Sequence, residues 1–198
     1  SLDMPLHELY TQWLATSALI DFPVRPHTWN LSGQDRTSPA EVGHVPSNLE
    51  NIRLRYELIP YYYTLAVNAH ERGEPVVAPL VYHYQWDPNV RSMANQMMIG
   101  ESLLMGIVAR PGEYWRNVYL PEGRWFDWYS NEAFGSRGEF LNFVPVYRFG
   151  NFKLPLFAKS GSIIPLMKVD ENTMSALGHR SDLKRADDLV VRVYPEWK

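Results

Sequence analysis

The stretch Gly73-Glu-Pro-Val-Val-Ala-Pro79 separates two parts of the sequence that differ in their hydrophobic pattern. Before this stretch, apolar residues recur every three or four positions, which is typical of amphipathic helices. After it, short apolar runs bounded by turn residues indicate β-strands. A glycine followed two residues later by proline is also a signal that a helix ends. The pattern therefore predicts two architectural units with a boundary near Pro75–Pro79.

Two helices are predicted before the boundary. The first ends near Ser17. Its apolar face is formed by Leu6, Leu9, Tyr10, Trp13 and Leu14. The second begins at a capping box, Ser47-Asn-Leu-Glu50, and Pro60 predicts a kink or a break inside it. Between the two helices, Ala18–Val24 is long enough for one buried strand, and the polar residues 28–46 predict a long loop.

Several β-type runs follow the boundary. They are Val76–Tyr84, Leu103–Val108, Asn117–Leu120, Trp125–Trp128, Leu154–Ala158, Ser162–Leu166 and Leu189–Tyr194. Turn residues separate the runs, so they predict a domain made mainly of short strands.

The composition narrows the classes of function. The chain has 198 residues, a formal net charge of −3 and no cysteine. The absence of cysteine excludes disulfides, thiol nucleophiles and zinc sites with cysteine ligands. The slightly negative charge argues against a nucleic-acid partner. No apolar run approaches the about 20 residues that a membrane-spanning helix needs, so no membrane partner is expected.

Common catalytic and metal-binding motifs are absent from the sequence. It contains no P-loop, no G-x-G-x-x-G, no H-E-x-x-H and no G-x-S-x-G. The six histidines include no pair at a spacing of three or four residues, so a metal site built on one helix is not expected.

The segment Phe22-Pro-Val-Arg-Pro-His27 is the first candidate functional site. A short strand ends in Arg25 and His27 and is followed by the long polar loop. Active sites of (β/α) barrels lie at such strand ends, where Arg and His could bond a polyhydroxylated ligand or orient a carboxylate. The alternative is structural, with a solvated arginine and a histidine that caps a turn.

Aromatic residues form the second candidate site, because they make up 14% of the chain. A cluster of them falls within the β-type region: Tyr114, Trp115, Tyr119, Trp125, Phe126, Trp128 and Tyr129. Exposed rings of this kind could stack on sugars. The alternative is that strand alternation places most of them in the core.

Seven segments match, in order, the sequence patterns of one enzyme family. They are Glu8-Leu-Tyr-Thr-Gln-Trp13, Phe22-Pro-Val-Arg-Pro-His27, Arg55-Tyr-Glu-Leu-Ile-Pro-Tyr-Tyr-Tyr63, Gly73-Glu-Pro75 with Pro79-Leu80, Gln96-Met-Met-Ile-Gly100, Val118-Tyr-Leu-Pro-Glu-Gly-Arg-Trp125 and Pro155-Leu-Phe-Ala-Lys-Ser-Gly-Ser-Ile-Ile-Pro165. Together they cover nearly the whole chain. On these segments the sequence resembles the C-terminal part of glycoside hydrolase family 31, the α-glucosidase and α-xylosidase family.

The resemblance implies a fold of the class α/β plus all-β. Residues 1–75 would be the last helices and strand eight of a (β/α)8 TIM barrel, the catalytic barrel of the family. Residues 76–198 would form the antiparallel β-sandwich domain that follows the barrel.

The resemblance also implies chemistry that this chain does not carry alone. Family members are retaining α-glycosidases that use two carboxylates and no cofactor. The W-x-D-M-x-E context of the nucleophile does not occur in this sequence, so no catalytic residue is assigned and the chain alone is expected to be inactive. The expected partners are an oligosaccharide substrate and the missing N-terminal barrel segment, in the same or another chain.

Two residues of this sequence match family residues at the substrate site. His27 matches the family histidine that bonds the sugar before the cleaved bond. Arg25 matches the arginine two positions earlier, for which a structural role at this strand end is favoured. The sequence departs from the family at Gln12, where the family has Arg, and at Ser38-Pro-Ala-Glu41, where the family has a P-W pair.

Three interpretations remain open at this point. The first is an α-glucosidase-like hydrolase, or an α-glucosyltransferase of the same family. The second is a non-catalytic carbohydrate-binding β-sandwich that uses exposed Trp115, Trp125 or Trp128. The third applies to residues 76–198 alone, which would only buttress the barrel.

Overall fold

The computed structural model describes residues 4–21, 38–173, 180–184 and 188–196. Three helices come first: α1 (Met4–Ile20), α2 (Val45–Glu57) and α3 (Ile59–Arg72). A single helical turn, α4 (Leu80–His83), and a 3-10 turn (Pro88–Val90) lie among the first strands. No helix in these ranges is long and apolar enough to cross a membrane.

The described part of the chain contains twelve strands, all after α3. They are β1 (Val77–Pro79), β2 (Gln96–Ile99), β3 (Leu103–Gly106), β4 (Trp115–Leu120), β5 (Gly123–Asp127), β6 (Ala133–Ser136), β7 (Glu139–Pro145), β8 (Tyr147–Arg148), β9 (Asn151–Phe152), β10 (Leu156–Lys159), β11 (Ile163–Met167) and β12 (Leu189–Val193). Six of them form one antiparallel sheet in the order β1-β2-β3-β10-β5-β6. The others pair as β4-β7, β8-β9 and β11-β12.

Helix α1 is longer than its sequence pattern predicts. It continues past Ser17 to Ile20, so the predicted strand from Ala18 begins in a helix, and residues 22–24 of that run lie outside the described ranges. The extra turn forms because Ala18 and Leu19 are buried together with Leu14. Ser17 is small enough to be buried in this helix interior, where it is only 3% exposed.

The predicted capping box at Ser47 is wrong. Helix α2 begins at Val45, and the Ser47 hydroxyl accepts a hydrogen bond from the Phe152 backbone N–H at 2.8 Å. Asn51, one turn later, donates to the Phe152 carbonyl at 2.9 Å. Both backbone groups of Phe152 are therefore paired by side chains of α2, and Ser47 is used for this tertiary contact instead of capping.

The ends of α2 and α3 confirm the other helix signals. The helices are separated at Leu58, and Pro60 lies in the first turn of α3, where its missing N–H costs nothing. Helix α3 ends at Gly73, whose φ of 72° is the left-handed conformation that glycine adopts readily.

Each predicted β-type run contains a strand, although Val76–Tyr84 forms only β1 before it turns into α4. The sequence pattern did not predict β2 or the strands from β6 to β9. Strands β8 and β9 have two residues each, which is too short for a periodic signal.

Both faces of the six-stranded sheet are buried. Leu103, Met105 and Phe126 face the helices, whereas Leu104 and Trp125 face the β4-β7 pair. Successive residues alternate between two apolar clusters, because side chains of a strand point to opposite faces. The central strands are therefore apolar at nearly every position instead of alternating with polar residues.

The β11-β12 pair has an inner and an outer face. Ile164 and Leu166 point inward and are at most 7% exposed. The outer face carries the apolar cross-strand pair Ile163–Val193, and Leu189 and Val191 lie on the same face. These four side chains are between 51% and 65% exposed.

Substitution of Trp125 tests whether both faces of the six-stranded sheet are packed as core. Its side chain is fully buried and its indole N–H donates to the Pro121 carbonyl at 2.9 Å. Trp125→Ala should lower the free energy of unfolding by about 3–5 kcal/mol, because it leaves a cavity. The measurement is urea denaturation followed by circular dichroism.

The matched control is Trp115→Ala, because Trp115 is 61% exposed. Its free energy of unfolding should stay within about 0.5 kcal/mol of the parent value. Equal losses for the two variants would contradict the proposed arrangement of the core.

Candidate functional site

Arg25 and His27, the sequence-predicted substrate-binding residues, fall within residues 22–37, outside the described ranges. Their roles therefore stay predictions. The structure does describe how the chain leaves and re-enters on either side of this segment. Helix α1 closes with a hydrogen bond from the Asp21 N–H to the Ser17 carbonyl, and a turn at Ser38 leads into α2.

The segment before α2 is fixed on α1 by hydrogen bonds from its backbone N–H groups to side chains of the helix. The Gly43 N–H donates to His7 Nδ1 at 3.0 Å, and the His44 N–H donates to Thr11 Oγ1 at 2.7 Å. The buried Asn48 side chain donates to the carbonyls of Pro39 and Val42. The loop predicted at residues 28–46 therefore ends in a rigid docking turn.

Gly43 is required by this close approach. Its φ is 76°, and a Cβ at this position would lie 2.6 Å from Thr11 Oγ1 and 2.9 Å from Tyr10 Cδ1. Any larger residue would be strained and would push the turn away from α1.

Replacement of Gly43 by alanine should therefore cost more than backbone strain alone. Gly73→Ala is the matched comparison, because Gly73 has a φ of 72° and nothing within 4 Å of its Cβ position. We expect Gly73→Ala to lower the free energy of unfolding by about 1–2 kcal/mol. Gly43→Ala should cost at least about 1 kcal/mol more because of overpacking. Thermal or urea unfolding measures both, and equal costs would rule out the tight contact.

A cleft of about 600 Å³ lies beside this docking turn. Helix α1, the turn into α2, the residue before β4 and the β8-β9 hairpin each contribute to its lining. The lining residues are His7, Glu8, Thr11, Gly43, His44, Tyr114, Tyr147 and Gly150. No local sequence pattern unites these residues, because they are far apart in the chain, and only the turn signals around Gly43 mark the region.

The segment before β4 forms one wall of this cleft, and Gln12 and Glu8 hold it in place. Gln12, only 1% exposed, donates from Nε2 to the Arg110 carbonyl at 2.8 Å. Glu8 Oε1 accepts from the Gly112 N–H at 2.8 Å. Gln12 thus binds the backbone directly and helps to position the segment that leads to Tyr114.

A second cleft, of about 420 Å³, carries several charges. Burial raises the pKa of Glu57 and lowers the pKa of Lys153, and Lys153 Nζ lies 3.5 Å from Glu50 Oε2. Glu50 and Glu57 are seven residues apart on one helix, which is roughly 10 Å along its axis. Retaining glycosidases hold their two carboxyl groups about 5–5.5 Å apart, so this pair does not have the required spacing.

A third cleft, of about 370 Å³, lies between α3 and the β2-β3 turn. Tyr61 lines it and donates its hydroxyl to the Ile99 carbonyl at 2.8 Å. Burial raises the pKa of Tyr61 to about 12. The phenol therefore acts as a stable donor that joins the helices to the sheet. Among the described residues, no group of three or more side chains could hold a metal ion.

The raised pKa of Tyr61 gives a pH-dependent prediction. Above pH 10 Tyr61 ionises in the unfolded chain, but in the folded chain only near its pKa of about 12, so its stabilisation is lost between these values. Tyr61→Phe should lower the free energy of unfolding by about 1 kcal/mol at pH 8. This deficit should shrink as the pH rises above 10.

The control for this measurement is Tyr63→Phe, because the Tyr63 side chain is 72% exposed. Urea unfolding at a series of pH values gives the comparison. A Tyr61→Phe deficit that is constant with pH would show that the phenol is not held protonated by the fold.

The aromatic cluster is mostly core. Trp125 is fully buried, Trp128 is 5% exposed, and Tyr119 and Phe126 are buried too. Trp125 and Trp128 therefore cannot be the exposed sugar platforms of the binding-module hypothesis. Tyr114 and Trp115 remain at the surface, at 59% and 61% exposure.

Comparison with protein families agrees with this geometry in both halves of the chain. The model of the glycosyl hydrolase family 31 TIM-barrel domain matches residues 2–65. The model of the family 31 C-terminal domain matches residues 73–164. The chain belongs to glycosyl hydrolase family 31. The resemblance inferred from the seven segments is thereby confirmed.

The chain is also similar to named enzymes. It is 31% identical over 176 residues to α-glucosidase 2 of Bacillus thermoamyloliquefaciens, which covers 88% of this chain and 21% of that protein. It is 34% identical over 170 residues to the 1,6-α-glucosyltransferase of Sporosarcina globispora, covering 84% of this chain and 13% of that protein. The chain thus spans about a fifth or less of these relatives.

The fold is also that of family 31. A family 31 dextranase from Flavobacterium johnsoniae, complexed with glucose, superposes with a TM-score of 0.82 at 27% identity, over 98% of this chain and 22% of that one. The predicted fold class, the end of a TIM barrel followed by an antiparallel β-sandwich, is confirmed.

Proposed function

We propose that this chain is the C-terminal portion of a retaining α-glycoside hydrolase that acts on α-linked glucosides or related oligosaccharides. The observation that carries this proposal is the order of the two family 31 matches, the barrel domain first and the C-terminal domain second. A similar protein named as an α-glucosidase supports the choice of glucosides.

In this proposal the two parts of the chain have different roles. Residues 1–75 are the last helices and strand eight of the catalytic barrel, and residues 76–198 are the β-sandwich that supports it. The end of α3 at Gly73 and the start of β1 at Val77 favour this division. His27 bonds the sugar at the strand end, and Arg25 ties that strand end to neighbouring groups.

The rest of the barrel supplies the two catalytic carboxylates, in the same polypeptide or in another chain. Exposed apolar side chains on the three helices support this part of the proposal. They are Leu9, Trp13, Val45, Leu49, Ile59, Tyr63 and Val67, all between 36% and 72% exposed. Burying these faces against further helices would stabilise the barrel. The 198-residue chain alone would then have no hydrolytic activity.

An α-glucosyltransferase is the second candidate, because a protein of that name is 34% identical to this chain. Both reactions pass through the same glycosyl-enzyme intermediate and differ in whether water or a sugar accepts the glycosyl group. The turn that begins at Ser38 departs from the family pattern and lies beside the segment that contains His27. In this second candidate function, this turn helps to determine the acceptor.

Two measurements test the proposed function. The first is the intact mass of the protein from its source, which should exceed 23.0 kDa several-fold or come with a co-purifying chain. The second is hydrolysis of maltose and of aryl α- and β-glucosides by that complete protein. We expect activity on the α-anomers only, with retention of configuration seen by NMR, and transfer products would identify the second candidate.

His27→Ala is the decisive variant in the complete protein. It should lower kcat/KM by about a hundredfold or more, because hydrogen bonds to sugar hydroxyls strengthen in the transition state. His70→Ala is the control, because His70 lies exposed in the last turn of α3. Unchanged activity in His27→Ala would remove the proposed substrate role, and the absence of activity in the parent would remove the proposed function.

A further inference from the structure

The cleft beside the docking turn, described above with a volume of about 600 Å³, has the chemistry of a sugar site. Its volume lies within the range of roughly 300–1,000 Å³ that is typical of ligand sites. We propose that this cleft binds a glucosyl unit of an α-linked oligosaccharide, with Tyr114 as the stacking platform and His7 and Glu8 as hydrogen-bonding groups. The choice of an α-linked glucosyl ligand rests on the proposed function.

His7 presents a fixed hydrogen-bond donor. A backbone N–H can only donate, so His7 Nδ1 must accept from Gly43, and the ring proton is then on Nε2. Within the described part of the chain, Nε2 has no other partner. The docking turn therefore sets both the orientation and the tautomer of this imidazole.

Glu8, the following residue of α1, presents an acceptor that also lines the cleft. Its Oε1 is held by the Gly112 N–H at 2.8 Å, which leaves Oε2 without a partner among the described residues. Sugar hydroxyls both donate and accept, so an imidazole N–H and a carboxylate oxygen that line one cleft can bond two hydroxyls of the same ligand. Carboxylate acceptors also make stronger hydrogen bonds than neutral groups do.

Two tyrosines supply the apolar part of the cleft. The ring centroids of Tyr114 and Tyr147 lie 5.4 Å apart with planes tilted by 37°, so Tyr147 supports the ring of Tyr114. Tyr114 remains 59% exposed and offers a ring surface to a ligand. Burial, with a contribution from the Glu8 carboxylate, raises the pKa of Tyr147. The Tyr147 hydroxyl therefore stays protonated and can donate.

The same lining disfavours other classes of ligand. Among the described residues, no lysine or arginine lines the cleft, so no cationic side chain of this part of the chain would neutralise a phosphate or a carboxylate ligand there. The Glu8 carboxylate would repel such anions. A neutral ligand with several hydroxyls and an apolar ring face fits these groups better.

The walls of the cleft are rigid, which favours binding because little order is lost when a ligand enters. The Gly43 and His44 amides fix the turn to α1. Gln12 and Glu8 fix the segment before β4, and the Val146 N–H donates to the Tyr114 carbonyl at 3.0 Å.

Isothermal titration of the complete protein with a sulfur-linked α-glucotriose, which a glycosidase does not hydrolyse, tests the proposal. Tyr114→Ala should raise the Kd about tenfold, which corresponds to about 1.4 kcal/mol. Tyr114→Phe keeps the ring and should stay within about twofold of the parent. Glu8→Gln keeps an oxygen for the Gly112 N–H but removes the charge, and should weaken binding about threefold or more.

Trp115→Ala is the matched control, because Trp115 is equally exposed and adjacent in sequence but does not line the cleft. Its Kd should be unchanged. An unchanged Kd in Tyr114→Ala, an equal loss in Trp115→Ala, or no binding by the parent would each overturn the proposal.

Hydrolysis of an aryl α-glucoside by the same variants separates this proposal from the proposed function. If the sugar binds in a way that depends on Tyr114 but the protein has no hydrolytic activity, the sugar-binding cleft is supported and the proposed enzyme function is rejected. If the protein hydrolyses the glucoside but binding does not depend on Tyr114, the enzyme function is supported and the sugar-binding cleft is rejected.

Discussion

The pairing of Phe152 with helix α2 is the constraint on which the rest of the structure depends. Ser47 and Asn51 take the N–H and the carbonyl of this residue, as a neighbouring strand would. Phe152 is fully buried, and unpaired backbone groups there would cost about 1–3 kcal/mol each. The contact fixes the helices to the strand domain and fixes β9 in place. Among the described strands β8 pairs with β9 alone, so this contact also helps to set the position of Tyr147 and of the cleft.

The sequence predicted those parts of the fold that local patterns determine. The glycine and proline signals located the end of α3 at Gly73 and the break at Leu58 correctly, because both act through the backbone of their own residues. The errors came where a tertiary contact overrode a local preference. Ser47 has the pattern of a cap but bonds Phe152, which is 105 residues away in the sequence. Ser17 resembles a helix end but is buried within α1.

The candidate sites also differ in whether a local sequence pattern marks them. Arg25 and His27 were predicted from a strand pattern within a family motif, and they lie outside the described residues. The cleft could not be predicted in this way, since His7, Gly43, Tyr114 and Tyr147 meet only after the helices and the β8-β9 hairpin have packed together.

The high aromatic content also had two explanations that the sequence could not separate. The sheet decides between them, because it buries Trp125 on one face and Phe126 on the other.

The outer face of the β11-β12 pair has a consequence for handling the protein. Ile163, Leu189, Val191 and Val193 form an exposed apolar surface on a two-stranded ribbon. Two-stranded ribbons can recruit further strands through the backbone groups at their edges, and these four positions carry no charged residue that would oppose this. In a concentrated solution the ribbon would act as a template for intermolecular β-pairing. Aggregation, more than misfolding, would then limit work with the isolated chain.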